Sequence, residues 1–132
     1  MSKIITGAVV LLLVIVVATM TVFYIDSQHM CGNEIYAEYL SPDKAYKAVV
    51  FQRDCGATTG FSTQISILEA DEVLGNSKGN IYIVDGHPKQ AAPNVHWHSE
   101  NKLTIKKALY GSEYKAESSW GGRNKVKIVY GH

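Results

Sequence analysis

Residues 4–25 read IITGAVVLLLVIVVATMTVFYI, twenty-two positions from Ile4 to Ile25 without a charge. At 1.5 Å per residue a helix of that length spans roughly 33 Å, against a hydrocarbon core of about 30 Å. Only a helix lets one segment satisfy its own backbone hydrogen bonds in lipid. Thr6, Thr19 and Thr21 fit that setting, because a helical threonine hydroxyl bonds a carbonyl one turn back. Tyr24 stands at one end, where an amphipathic ring suits the headgroup level. The stretch is therefore expected to bind the lipid bilayer as a single-pass anchor. A cleaved signal peptide would carry a shorter apolar core, about 7–15 residues, and a small-residue cleavage site. Ser27-Gln28-His29-Met30 has no such pattern, and it puts no small residues before Cys31 as a lipoprotein signal would.

Orientation is set by the flanking charges. Lys3 and the terminal amine precede the span; Asp26 and Glu34 come after it, with no Lys or Arg until Lys44. The positive-inside rule then places the N-terminus in the cytoplasm and residues 26–132 outside. Outside is an oxidising space, so the two cysteines, Cys31 and Cys55, are expected to form one disulfide. Closing a loop of about 25 residues stabilises a fold by about 3.5 kcal/mol in the chain-entropy model.

Beyond the span the chain is long enough for one small domain. The whole-chain values, 46% hydrophobic residues and mean hydropathy −0.04, average a greasy helix with an ordinary soluble domain. A formal net charge of +1 argues against nucleic-acid binding. The charge is uneven: residues 101–132 hold seven Lys/Arg and two Asp/Glu, while residues 26–100 hold five and ten.

Residues 26–33 read as a short extended tether, and the domain as residues 34–132. From Glu34 the hydrophobic period becomes two. Ile35, Ala37 and Tyr39 fall on one face of a strand, Glu34 and Glu38 on the other. Ser41-Pro42-Asp43-Lys44 is a turn. Residues 46–51 are nearly apolar on both faces, as a central strand requires. Further strands are expected over 61–68, with Gln64 and Ser66 on the polar face, over 80–85, and over 95–98 and 103–106 as a hairpin. Residues 108–124 read as a loop before a last strand over 125–130. Strands joined by turns, with no soluble helix, predict an all-β fold: a transmembrane helix followed by a small antiparallel meander or sandwich-like domain. The expected core includes Val50, Phe51, Ile65, Ile83, Trp97 and Ile105.

Ser41-Pro42-Asp43-Lys44-Ala45-Tyr46 resembles the start of a strand in TolB-like and WD-like propeller blades, with Lys44 where glycine is usual. The hairpin from Trp97 to Ile105 is similar to the inner hairpin of such blades. There is material for about two blades, too few to close a ring. The run from Arg53 to Gln64 resembles a segment of small bacterial single-span envelope proteins. That resemblance implies a bacterial source and no activity; with the anchor and orientation read above, the expected location is the bacterial cytoplasmic (inner) membrane with a periplasmic or extracellular domain.

Candidate chemistry is sparse. His96 and His98 flank Trp97 and share a strand face about 7 Å apart, which suits two imidazoles on one metal but leaves a third ligand to be found. Gly56, Thr58, Thr59, Gly60 and Phe61 belong to a loop of small residues, read as a candidate for protein binding rather than for phosphate, since no Walker lysine comes after it. Lys106, Lys125 and Lys127 form a basic stripe if the last strand joins the hairpin. There is no Ser-His-Asp spacing, no GxGxxG and no paired carboxylate, so neither catalysis nor a cofactor is expected. The resulting expectation is a membrane-anchored extracytoplasmic interaction module docking an envelope protein, one version being an immunity-type inhibitor of an envelope-acting toxin. The alternatives are an accessory single-span subunit of a membrane complex and a metal-binding envelope protein.

Overall fold

The computed structural model describes residues 1–56 and 59–131, with residues 27–29 by their backbone alone. The uncharged stretch lies within helix α1 (Ser2–His29). Over Ser2–Asp26 its mean hydropathy is 2.8, long and apolar enough to cross a membrane. The threonine hydroxyls bond back along the helix: Thr6 to the Ser2 carbonyl at 2.8 Å, Thr19 to Val16 at 2.9 Å and Thr21 to Val17 at 2.6 Å. The chain divides into two compact units, Met1–Met30 and Cys31–His132. Of the expected extended tether over 26–33, residues 26–29 continue α1 and residues 32–33 already belong to the first strand. No glycine or proline interrupts residues 26–29, and a nucleated helix adds one hydrogen bond per residue. Only Met30 and Cys31 separate α1 from the first strand.

The second unit contains β1 (Gly32–Leu40), β2 (Tyr46–Asp54), β3 (Ser62–Glu69), β4 (Tyr82–Asp85), α2 (Pro88–Ala91), β5 (Asn94–Ser99), β6 (Lys102–Lys106), β7 (Lys115–Ala116), β8 (Ser119–Trp120) and β9 (Val126–Tyr130). They make two sheets, of order β1-β2-β3-β4-β7 and β5-β6-β9-β8. The inner faces share one core, with Ala48, Val50, Ile65, Ile67 and Tyr82 from the first sheet and Val95, Trp97, Leu103, Ile105, Val126 and Ile128 from the second. The chain is thus an apolar N-terminal helix followed by a mostly β unit of largely antiparallel strands.

Not every pairing is antiparallel. β6 and β9 run parallel, Leu103 opposite Ile128 and Ile105 opposite Tyr130. A parallel pair needs a long crossover. The segment 107–125 supplies it, although residues 108–124 were expected to be a plain loop. The segment leaves the second sheet, adds β7 to the edge of the first, and returns as β8 beside β9. Pro88-Lys-Gln-Ala forms one helical turn, too short to register as a period, with His87 Nδ1 accepting from the Lys89 N–H.

Two faces differ from the period-two expectation. In β1 the register with β2 shifts between Ile35 and Ala37. One extra residue there, Tyr36, makes a bulge and reverses the alternation. Ala37 and Tyr39 pack on the core while Ile35 is 49% exposed. In β4 it is Tyr82, opposite Ile65, that faces the core; Ile83 lies opposite Gln64 on the other face and is only partly buried. Both faces of this short strand are apolar, so its alternation carried no signal.

The polar face expected for β3 is also covered. Gln64 and Ser66 are buried, 4% and 3% exposed, because the polar connection before β4 crosses that side of the sheet. Gln64 Oε1 accepts from the Gly79 N–H at 2.6 Å, and Ser66 Oγ from the Asn80 N–H at 3.1 Å. Asn33 Nδ2 donates to the Gly75 and Ser77 carbonyls, and Arg53 Nη1 to Asn33 Oδ1 and the Asn76 carbonyl. At Gly79 a Cβ would lie 2.9 Å from both Gln64 Cβ and the Tyr82 carbonyl oxygen, so only glycine admits this approach. Val49 and Phe51, fully buried on β2, lie on the same covered side.

The turn between β1 and β2 is built as the Pro-Asp pair suggests. Ser41 Oγ donates to Asp43 Oδ1 at 2.7 Å, and the Ala45 N–H donates to the same oxygen at 3.2 Å. These bonds, the serine's first, hold the Asp43 carboxyl below its ordinary range. Lys44 has φ 57°, the left-handed region where glycine is easiest.

Candidate interaction surface

Of the four sheet edges, three are short or partly engaged: β7 and β8 have two residues each and β5 has six. The fourth, β1, has nine residues, and among the described residues its one strand neighbour is β2. An edge strand of that length presents unpaired N–H and C=O groups, which natural sheets usually cover or blunt. Here Ile35, Tyr36 and Leu40 are about half exposed along it. The one edge group seen to be used is the Tyr39 carbonyl, which accepts from Trp97 Nε1 at 2.8 Å.

A cleft flanks each end of β1. One, of about 250 Å³, is lined by Glu34, Ile35, Tyr36, Gln52, His87 and Pro88 among others. The other, of about 270 Å³, lies where β1 meets β5, between Leu40, Pro42, His96 and Trp97. Beside the first cleft the Phe61 ring stands edge-on to His87, centroids 5.7 Å apart, and is 44% exposed. The disulfide anchors the strand: Cys31 Sγ and Cys55 Sγ are 2.11 Å apart, joining the residue before β1 to the residue after β2.

The loop candidates differ in their surroundings. Gly56 has φ 111°, its N–H donates to Asp54 Oδ1 at 3.0 Å, and its carbonyl accepts from both the N–H and the hydroxyl of Thr59 at 3.2 Å. Those donors are turned onto the loop itself rather than toward an anion. Gly60 is open to solvent, and Phe61 packs against His87 beside the cleft. Thr58 lies outside the described residues. His96 and His98 alternate with buried Val95 and Trp97 and are exposed on the outer face of β5. No group of three or more His, Cys, Asp or Glu is brought together among the described residues. His87 is engaged with Lys89 and Phe61.

The buried ionisable groups belong to the fold. Desolvation lowers the Arg53 guanidinium, which remains a cation at neutral pH, and its Nε has no partner. Burial first, then Glu113, pushes the Tyr82 hydroxyl up to about 12, so it stays neutral. Sequence reasoning found β1 as a strand but not as an open edge, and it missed His87 and Pro88 as cleft walls. The adjacent apolar pair Ile35-Tyr36 was the available signal, since a plain half-buried strand would put a polar residue at one of them.

Comparison with curated proteins and with solved structures returns no match. A family profile does match, over residues 1–128. With that coverage, the chain belongs to DUF5412, a family of unknown function.

Proposed function

We propose that this protein is a membrane-anchored, extracytoplasmic interaction module that takes up a segment of a partner protein by strand addition along β1. Strand addition needs a free edge for main-chain hydrogen bonds and pockets for alternate side chains. The observation that carries the reading is the nine-residue open edge of β1 with a cleft at each end. In this reading α1 stays in the cytoplasmic membrane of a bacterium with its N-terminus inside. The two-residue link then keeps β1 close to the bilayer, so the partner is another envelope protein, membrane-bound or working at the membrane surface.

The test is site-specific photo-cross-linking in cells. A photoreactive residue at Tyr36 is expected to give one discrete adduct, and the same residue at exposed Lys78, on the covering connection, none. Lysine on an edge strand blocks pairing. The substitution I35K in the Tyr36 probe chain should therefore reduce the adduct at least ten-fold while costing the fold less than about 0.5 kcal/mol, as for most exposed sites. Equal adducts from Tyr36 and Lys78, or an adduct indifferent to I35K, would refute strand addition.

A further inference from the structure

The outer face of the second sheet carries a charge pattern that the β1 edge does not use. Val95 and Trp97, Leu103 and Ile105, and Val126 and Ile128 all point into the core. Strand alternation then puts His96, His98, Lys102, Thr104, Lys106 and Lys127 on the opposite face. His96, His98, Lys106 and Lys127 are exposed there, and Lys102 is half-buried. β5, β6 and β9 contain no Asp or Glu. Glu100 and Glu117 flank these strands, yet the one ion pair among the described residues is Lys47 to Glu38, on the other sheet. Lys102 and Lys127 stand in register on neighbouring strands. Like charges side by side destabilise a sheet. This face therefore holds a local cost that an external anion would relieve.

We propose that this face, through Lys102, Lys106 and Lys127, docks on the anionic phospholipid headgroups of the membrane that holds α1. Charge complementarity selects an anionic surface. The covalent link selects lipid: β1 starts two residues beyond α1, so headgroups are always within the domain's reach. A lysine near an anionic leaflet strengthens attachment about five-fold, and three together on the order of a hundred-fold, at low ionic strength. Docking would limit the orientations in which β1 is offered to a partner. The proposal rests on the reading of α1 as a retained anchor, not on strand addition.

The test uses the full chain in nanodiscs of phosphatidylcholine alone or with 30% phosphatidylglycerol. Lysine acylation rates are read by mass spectrometry, with exposed Lys44 and Lys78 as references within the same molecule. The expected result is at least five-fold slower acylation of Lys102, Lys106 and Lys127 in the anionic discs only, reversed by 0.5 M NaCl. Lys125, next to the face, should share the protection and lose it in K102Q/K106Q/K127Q. Equal relative rates in the two lipids would overturn the proposal, as would protection that appears only when an acidic protein is added. A chain that fails to enter either disc would overturn the anchor and this proposal together; one that enters both without protection overturns this proposal alone.

Discussion

Truncating Trp97 to alanine is expected to destabilise the β unit by about 3–5 kcal/mol. The indole is 6% exposed, packs in the shared core, and donates through Nε1 to the Tyr39 carbonyl. It therefore links the two sheets by contact and the edge strand β1 to β5 by a hydrogen bond. A domain of this size has only about 5–15 kcal/mol of stability, so the melting temperature should fall by roughly 15–30 °C. Trp97→Phe separates the two contributions. It keeps most of the apolar volume and deletes the donor, and should cost about 1 kcal/mol, rising toward 3 if the Tyr39 carbonyl is left dry. Thermal unfolding of the full chain in detergent, followed by near-ultraviolet circular dichroism, measures both. A loss below about 1 kcal/mol for W97A would mean that the two sheets do not share a core at this residue.

The second large effect belongs to the disulfide. Replacing Cys31 and Cys55 together by serine should cost about 3.5 kcal/mol, the loop-closure entropy of the enclosed segment. Reductant added to the unaltered chain should cost the same. The bridge sits at the open end of the β1–β2 hairpin, opposite the Ser41–Lys44 turn. Its loss should therefore appear first in β1, whose amides would exchange faster than those of β6 and β9 while the core remains folded. Unfolding midpoints identical with and without reductant would show that the bridge does not stabilise the fold.

These two sites were legible in the sequence to different degrees. Trp97 stood out because exposed histidines flank it, a clean alternation with one buried aromatic. Ile65 and Ile105 were readable from alternation too, and Val50 and Phe51 from a strand apolar on both faces; each is buried. The helix was readable because twenty-two consecutive residues without a charge have the length and composition of a membrane span. Three features were not legible, each for a physical reason. The bulge at Tyr36 adds one residue between two correct half-strands, and no local propensity marks it. The parallel β6–β9 pair depends on where a long crossover goes, which strand patterns do not encode. Gln64 and Ser66 read as solvent-facing because polar side chains usually are. Here they are buried by hydrogen-bonding the backbone of a connection that lies far along the chain.

The candidate site was less visible than the fold. Its side chains, Ile35, Tyr36, Leu40, Phe61 and His87, come from three separate segments, and no spacing rule joins them. The open edge is a property of topology: β1 is the terminal strand of its sheet, and among the described residues no strand pairs with its outer side.

The proposed function depends on α1 being retained with the β unit outside. Thiol mass-tagging of the membrane fraction from intact spheroplasts tests it most directly, with a membrane-impermeant maleimide used before and after an impermeant reductant. The expected result is a full-length, membrane-bound chain that takes no tag at first and two tags once the reductant is added outside. Tagging without reductant and only after lysis, or a mature chain lacking residues 1–30, would contradict it.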